Sequence, residues 1–202
     1  MKTYEDLSAE LLAKNSPIVI DLGCGPRKKS GSIGVDILPF SGVDIAANLE
    51  EGLPFIPDNS VDHFVSSHFL EHIHNFEFMM SEIHRTLKPG GTAQIRVPHF
   101  SNPYGFSDYT HKRFFGLYTF DYFFDGDSGF RRNVPVYNSS FKFEVTSRKL
   151  FFKSSFYLPH LFKKHFWMHL INSSKYMQSL YEDSFTGLVS CYEIAFELKA
   201  VK

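Results

Sequence analysis

The sequence predicts an α/β fold built on a parallel sheet with helices on both faces, and three observations lead to this prediction. Short apolar segments typical of strands alternate with segments of helical periodicity along the first half of the chain. The run 18–20 is apolar at every position, as expected for a strand buried on both faces of a sheet. The length of 202 residues suits one domain, because chains usually divide only beyond roughly 250 residues.

The predicted elements follow one another in a regular order. In the first half they are a helix over 4–14, strands over 18–20, 32–35, 43–46 and 61–67, a helix over 76–87 that Lys88 to Gly91 ends, and a strand over 92–97. Residues 101–140 lack clear periodicity and are predicted to form loops and short helices. Strand patterns return at 141–146 and 191–201, with an apolar helical stripe from Leu158 to Leu170 between them.

Composition and charge exclude several classes of protein. The formal net charge of -1 excludes a globally basic nucleic-acid binder. Two cysteines, Cys24 and Cys191, can form neither a disulfide framework nor a cysteine zinc site. The first residues lack the apolar core of a signal peptide, and no run of about 18 apolar residues occurs. We therefore expect a cytoplasmic protein.

The aromatic residues divide the chain into two halves of different character. Most of the 23 Phe and 10 Tyr residues and the only Trp follow residue 99. We expect a single domain over 1–202 whose parts differ in role. These parts are an N-terminal helix (1–16), a ligand-binding half (17–99), an aromatic insertion or lid (100–140), and a C-terminal hairpin with a basic aromatic helix (141–202).

A glycine turn and an aspartate point to an adenosine-bearing ligand. Gly23 and Gly25 follow the first strand and let the backbone approach a ligand closely. A dinucleotide fingerprint needs a third glycine, but Lys28 stands at that position, which disfavours a nicotinamide or flavin enzyme. Asp36 ends the second strand, where a carboxylate can accept both ribose hydroxyls. The structural alternatives are that the glycines only form a tight connection and that Asp36 is only a turn residue. Because the glycine turn and Asp36 occur within one βαβ-like unit, the sequence favours an adenosine-bearing ligand.

Five motifs in order resemble those of the class I S-adenosylmethionine-dependent methyltransferases, in particular the small single-domain group similar to methyltransferase type 11. They are VIDLGCG at 19–25, GVD at 34–36, LPFIPDNSVD at 53–62, SSHFLEH at 66–72 and LKPGG at 87–91. The resemblance implies a doubly wound, mostly parallel seven-stranded sheet of Rossmann-like type with an antiparallel C-terminal hairpin from 141–152 and 191–201. It also implies S-adenosyl-L-methionine as cofactor and S-adenosyl-L-homocysteine as product.

The resemblance assigns the first part of the cofactor site. Asp21, Gly23 and Gly25 would hold the methionine end of the cofactor, and Asp36 would hold the ribose diol. Only residues 26–35 separate Gly25 from Asp36, so we expect a stunted first helix, with basic residues 27–29 in a loop near the cleft.

The same resemblance assigns the adenine and methyl ends. Asn48 stands where relatives have an acid, and its side-chain oxygen would accept a hydrogen bond from the adenine amino group. Leu49 would offer its backbone amide and a hydrophobic contact. Ser67 and His68 would line the methionine side and face the methyl group.

Three histidines are candidates for a general base. His68, His99 and His111 lie at strand ends or just beyond, where a parallel sheet gathers its site, and histidine titrates near neutral pH. For each one alone, a structural or surface role is the alternative. His68 and His72 with Glu71 match a zinc-peptidase pattern, but that pattern requires a helix, whereas His68 ends a strand. We therefore expect no metal.

We expect methyl transfer to an oxygen or nitrogen atom of a small-molecule, glycan or lipid-linked acceptor, with no nucleic acid favoured. The alternative is a non-catalytic module that keeps the fold as a cofactor-binding or membrane-associated scaffold. Residues 141–176 carry seven basic residues and one acidic residue, so peripheral contact with the inner face of a membrane is one interpretation of the helix there. A core-packing helix with a solvated basic face is the other, and the aromatic segment also leaves room for a homodimer contact.

Overall fold

A seven-stranded sheet forms the centre of the protein. The computed structural model describes residues 9, 13, 17–124, 126–137 and 140–202. The strands are β1 (Val19–Leu22), β2 (Ile33–Asp36), β3 (Ile45–Ala46), β4 (Val61–Ser67), β5 (Leu87–Pro98), β6 (Lys142–Phe151) and β7 (Glu193–Val201). They are ordered β3-β2-β1-β4-β5-β7-β6. Neighbours from β3 to β5 are parallel, and β7 is antiparallel to both β5 and β6. The predicted mostly parallel sheet is confirmed.

The helix between β4 and β5 lies where the sequence predicts it. Helix α1 (Phe76–Thr86) begins at Asn75, whose side chain accepts a hydrogen bond from the amide of Phe78. Its buried face packs on the sheet through apolar side chains that include Met79 and Met80. Strand β5 is longer than predicted, because Leu87 already pairs with Val61 and the Lys88–Gly91 turn is incorporated into the strand.

The crossovers on the other side of β4 contain little helix. Residues 23–32 join β1 to β2 through turns, and only the 3₁₀ helix Leu49–Glu51 lies between β3 and β4. The stunted first crossover is therefore confirmed, and a hydrogen bond of 2.7 Å from the Lys29 amide to Asp21 Oδ2 secures it. The helix predicted over 4–14 falls outside the described residues except for Ala9 and Ala13.

Between β6 and β7 the chain is mostly helical. The helices are α2 (Tyr157–Phe162), α3 (Met168–Ile171) and α4 (Lys175–Leu180), with π-helical turns at Lys163–Trp167 and Tyr181–Phe185. The two C-terminal strands therefore pair along their length but are not joined by a tight turn. Strand β6 also continues to Phe151, past the end of the alternating pattern at 146.

The aromatic insertion contributes to the core as well as to the surface. Phe115 and Phe120 are fully buried, and the Phe120 ring meets Phe196 of β7 edge-on, with centroids 4.6 Å apart. The buried Asp121 carboxylate binds the buried guanidinium of Arg148 on β6. This ion pair fastens the 3₁₀ helix Thr119–Phe123 to the sheet.

Apolar side chains of the α2–α3 segment face outward. Phe156, Tyr157 and Leu158 are about three-quarters exposed, at 73%, 75% and 74%, and Phe162 and Phe166 are exposed as well. The stripe predicted from Leu158 to Leu170 is thus helical but does not enter the core of the chain. None of the helices described by the structure has both the length and the apolar character to span a bilayer.

Candidate functional site

A cavity of about 320 Å³ opens at the carboxyl ends of β1 to β4. The strand order reverses between β1 and β4, which is where an open α/β sheet leaves a crevice for a ligand. Five side chains or backbone positions chosen from the sequence line this cavity: Gly23, Asp36, Asn48, Leu49 and His68. The structure therefore brings together residues that follow four different strands.

The glycine turn and Asp36 form one connected unit. The amide of Gly25 donates to Asp36 Oδ2 at 2.9 Å, and the amide of Leu38 donates to Oδ1 at 3.1 Å. An ionised carboxylate has about four acceptor positions, so two remain for a ligand. Gly23 has φ +63°, and a Cβ there would lie 2.5 Å from the side chain of Phe69. Glycine is required at this position for both reasons.

The adenine end of the predicted site is built on the 3₁₀ helix Leu49–Glu51. Asn48 caps this helix: its Oδ1 accepts from the Glu50 amide at 3.2 Å, and its Nδ2 donates to Glu51 Oε1 at 2.9 Å. Asn48 Oδ1, which the sequence predicts to accept a hydrogen bond from the adenine amino group, thus already accepts one from the Glu50 amide. Leu49 is buried and contributes part of the apolar wall.

Three residues of the predicted cofactor site lie outside this lining: Gly25, whose amide binds Asp36, and Asp21 and Ser67. Asp21 is 5% exposed and accepts the Lys29 amide, and burial raises the pKa of its carboxyl despite that bond and the charge of Lys29. It supports the β1–β2 loop. Ser67 is exposed at the end of β4, paired with Arg96 in the β4–β5 ladder. Among the described residues, none of these three is part of the cavity wall.

His68 lies between two buried glutamates. Its backbone has φ +55°, which turns the chain at the end of β4. Nε2 lies 3.0 Å from Glu193 Oε2, and Nδ1 lies 3.3 Å from Glu71 Oε1. The contacts with the carboxylates of Glu193 and Glu71 raise the pKa of His68 to about 9, so the ring is a cation at neutral pH. In that state it cannot accept a proton.

Glu193 of β7 is a residue that sequence reasoning missed. It is 1% exposed, and besides His68 it contacts Arg96 Nη1 at 3.0 Å and Lys153 Nζ at 2.9 Å. Burial alone would raise the pKa of Glu193, but the hydrogen bonds from His68 and Lys153 and the charge of Arg96 lower it to about 2. No local pattern connects Glu193 to His68, because the two are 125 positions apart.

The other two candidate histidines have different surroundings. His99 is 1% exposed, with Nδ1 at 2.8 Å from Ser101 Oγ and Nε2 at 3.2 Å from Glu182 Oε2. It is not among the described residues that line the cavity. His111 is largely buried and binds the Gly105 carbonyl through Nδ1 at 2.9 Å. Its ring meets His72 edge-on with centroids 4.9 Å apart, and His72 does line the cavity.

Several wall residues were not predicted. They are Ile37, Glu50, Phe69, His72 and Ile73. Each comes directly after a residue of a predicted motif or site, so the motifs at the strand ends could have located these wall residues as well. Glu71 and His72 lie in the turn between β4 and α1, which begins at Phe76.

A second cavity, of about 780 Å³, lies among the aromatic insertion and the α4 region. Its wall includes Tyr118, Arg131, Arg132, Tyr176 and Glu182. It is larger than the cavity at the strand ends, but it contains none of the sequence-predicted residues. We therefore assign the ligand site from the strand ends and not from cavity size.

Comparison with known proteins agrees with the sequence motifs. Residues 20–95 match the model of a family described as a methyltransferase domain. Over these residues the chain is similar to that family. The match supports the class I resemblance over the part of the chain that carries the cavity. No curated protein showed significant similarity to the chain.

Solved structures confirm the predicted fold over nearly the whole chain. An S-adenosylmethionine-dependent methyltransferase from Archaeoglobus fulgidus aligns over 98% of this chain and 94% of its own, with 21% identity and a TM-score of 0.52. One from Mesorhizobium loti aligns over 98% of both chains, with 14% identity and a TM-score of 0.51. The 1,6-didemethyltoxoflavin-N1-methyltransferase of Burkholderia thailandensis, solved with its substrate and S-adenosylhomocysteine, covers 98% of this chain and 78% of its own, with 12% identity and a TM-score of 0.50.

Proposed function

We propose that the protein binds S-adenosylmethionine in the cavity at the strand ends and transfers its methyl group to an oxygen or nitrogen atom of a small acceptor. The observation that carries this proposal is the meeting of Gly23, Asp36, Leu49 and His68 around one cavity. These residues follow β1, β2, β3 and β4, so only the folded sheet assembles them. The matched methyltransferase family supports the choice of cofactor.

Polar and apolar features of the cavity fit the two parts of adenosine. The Asp36 carboxylate retains acceptor capacity for the ribose hydroxyls after binding two amides. Leu49 and Ile37 supply apolar surface beside it, as a purine ring requires. The cofactor amino group near Asn48 would have to share the oxygen that now accepts the Glu50 amide.

A small acceptor is favoured by the segment that packs against the loop after β4. The Lys112 amide donates to the Glu71 carbonyl at 2.7 Å, and Arg113 Nη2 donates to the carbonyls of Ile73 and His74 at 3.1 and 2.6 Å. These bonds hold the 108–113 segment against the loop that follows β4, one wall of the cavity. A cavity of about 320 Å³ with such a fixed wall suits a small molecule, or the end of a glycan or lipid-linked acceptor, better than an extended polymer.

Methyl transfer demands little chemistry of the protein beyond positioning. The sulfonium is already an activated electrophile, so holding the acceptor atom in line supplies much of the rate. Both ring nitrogens of His68 are directed at glutamates, which leaves neither with a lone pair for the acceptor. We assign His68 a positioning role at the end of β4.

Cofactor affinity and methyl incorporation test the proposal. Titration calorimetry with S-adenosylhomocysteine should show binding to the wild type and a loss of about 1.5–3 kcal/mol in Asp36→Asn, the contribution of hydrogen bonds to a charged group. That loss is about 10- to 150-fold in Kd. Asp58→Asn is the control, since Asp58 precedes β4 at the opposite end of the sheet and pairs with Arg85. Equal affinities in all three proteins would refute the assigned site; binding without any methylated acceptor would favour a non-catalytic module.

We also propose that the α2–α3 surface contacts an anionic membrane. Its exposed members are Phe156, Tyr157, Leu158, Phe162 and Phe166. The Phe162 and Phe166 rings stack at 5.0 Å, and both lie within 6.2 Å of the Trp167 ring by centroid. Lys163 and Lys164 belong to the same segment and would complement anionic headgroups, and an apolar face flanked by lysines is typical of an interfacial helix. A second copy of the chain is the competing occupant.

A further inference from the structure

Three side chains from two separate segments converge beside the cofactor cavity. Glu71 and His72 lie in the turn that follows β4, and His111 lies in the segment that follows β5. One ligand atom of each of these residues lies within 4.8 Å of the others. The bond from the Lys112 amide to the Glu71 carbonyl holds the two segments in this register.

Glu71 is a buried carboxylate without a hydrogen-bond donor. It is 1% exposed, and neither Oε1 nor Oε2 receives a hydrogen bond from the residues that the structure describes. The nearest cationic atom is Nδ1 of His68, at 3.3 Å from Oε1. The other nitrogen of His68 is committed to Glu193. Buried carboxylates are ordinarily paired and hydrogen-bonded or coordinate a metal, and Glu71 lacks the hydrogen bonds.

Both histidines hold their Nδ1 protons in place. Nδ1 of His111 faces the Gly105 carbonyl at 2.9 Å, and a carbonyl can only accept. Nδ1 of His72 lies 2.9 Å from Thr110 Oγ1, whose own proton is donated to Asp108 Oδ1 at 2.5 Å. Each Nδ1 is therefore the protonated nitrogen, which leaves the Nε2 lone pair of each ring available. Metal-binding histidines are oriented in this way by a second oxygen partner.

Asp108 forms no hydrogen bond with Nε2 of His111. Its Oδ2 lies 3.5 Å from His111 Nε2, beyond the usual hydrogen-bond distance, and its carboxylate is largely exposed. It can rotate toward solvent or approach a cation bound between the rings. The cluster thus offers the Nε2 atoms of two imidazole rings and one carboxylate, with a further carboxylate nearby.

We propose that Glu71, His72 and His111 bind a divalent first-row transition metal, for which Zn²⁺ is the natural probe. Two histidines and one glutamate are a recognised ligand set for zinc, with metal–ligand distances of about 2.0–2.2 Å. Ligand atoms around such a metal lie about 3–4 Å apart, so small side-chain rotations close the cluster. His72 also lines the cofactor cavity, so the metal would lie at its wall.

This proposal departs from the sequence expectation of no metal, for a structural reason. The sequence pattern paired His68 with His72, and His68 does end a strand and turn toward Glu193. His111, and not His68, is the second histidine of the cluster, and the local sequence pattern does not predict that His111 lies beside His72. If the proposed methyl transfer holds, a metal here would lower the pKa of an acceptor hydroxyl bound to it.

Metal titration of chelator-treated protein tests the proposal without cofactor or acceptor. We expect the wild type to bind one equivalent of Zn²⁺ by calorimetry. His111→Gln and Glu71→Gln should each weaken Kd by at least about tenfold, since loss of even an outer-shell partner has that effect. His74→Gln is the matched control: it lies in the same turn and pairs with Glu50, outside the cluster. The control should bind as the wild type does.

Cobalt substitution distinguishes a built site from scattered surface histidines. Co²⁺ in the wild type should give visible absorption bands that His111→Gln lacks and His74→Gln retains. Circular dichroism in the presence of chelator checks that each variant is folded; if Glu71→Gln is not, His111→Gln decides. Metal affinity that is unchanged in folded His111→Gln, or no stoichiometric binding by the wild type, would overturn the proposal. The S-adenosylhomocysteine titration is independent of this result, so the two proposals can fail separately.

Discussion

Replacement of Gly23 by alanine tests the geometry of the β1 turn. Gly23 and Gly25 both have positive φ, at +63° and +54°, but their surroundings differ. A Cβ on Gly23 would lie 2.5 Å from Cβ, Cγ and Cδ2 of Phe69, whereas a Cβ on Gly25 would have no heavy atom within 4 Å. The pair therefore separates backbone strain from steric overlap within a single turn.

The expected magnitudes follow from these two contributions. An alanine in the left-handed region costs about 1–2 kcal/mol, and that is the full cost expected for Gly25→Ala. Overpacking adds about 1–3 kcal/mol for Gly23→Ala, because Phe69 is partly buried against the core and its Cβ cannot move without the backbone. The total for Gly23→Ala is about 2–5 kcal/mol. Displacement of Phe69 also moves a wall of the cavity in which we propose that the cofactor binds.

Urea unfolding and S-adenosylhomocysteine titration measure both effects. The free energy of unfolding should fall more in Gly23→Ala than in Gly25→Ala, and cofactor affinity should fall with it. If the two variants lose the same stability, Phe69 does not press on the turn as described, and the reasoning fails.

Three further predictions concern other parts of the molecule. Arg148→Ala should lower the free energy of unfolding by about 3–5 kcal/mol in urea titrations, because it leaves the carboxylate of Asp121 buried and unpaired; a loss below 1 kcal/mol would contradict the buried pair. Burial and the nearby charges of Asp21 and Asp36 raise the pKa of the Cys24 thiol to about 11. Alkylation of Cys24 by iodoacetamide, measured by peptide mapping, should therefore be slow at pH 8, and its rate should rise about tenfold per pH unit up to pH 11. A rate that levels off below pH 9 would contradict the raised pKa. Phe162→Glu should reduce sedimentation of the protein with phosphatidylserine vesicles and leave the free energy of unfolding unchanged, because Phe162 is exposed. Dissociation of a dimer in this variant, detected by analytical ultracentrifugation, would instead indicate that a second copy of the chain covers this surface.

The first half of the fold was predictable because its signals are local. Strands such as β1 are buried on both faces and therefore show continuous apolar runs, and α1 has an asparagine cap and a buried stripe. The turn glycines come just after β1, and Asp36 is the last residue of β2. Their neighbours in the cavity wall are adjacent in sequence, so the strand ends located most of the site.

The second half was not predictable in the same way, since aromatic residues there have opposite environments. Phe115 and Phe120 are fully buried, whereas Phe162 and Tyr109 are exposed, and no periodicity distinguishes them. The partners of the charged groups are also distant in sequence. Glu193 meets His68, and His111 meets His72, only because β7 and the segment after β5 return to the same edge of the sheet.

The position of β7 has implications for how the chain assembles. This strand is synthesised after β6 yet lies between β5 and β6, so β6 has no partner in the sheet until β7 arrives. The five parallel strands can form first from contacts that are closer in sequence, leaving one side of β5 uncovered. Glu193 is the first residue of β7, and it completes the environment of His68. A partly made chain would thus contain the glycine turn and Asp36 but lack the charge that holds His68 in place.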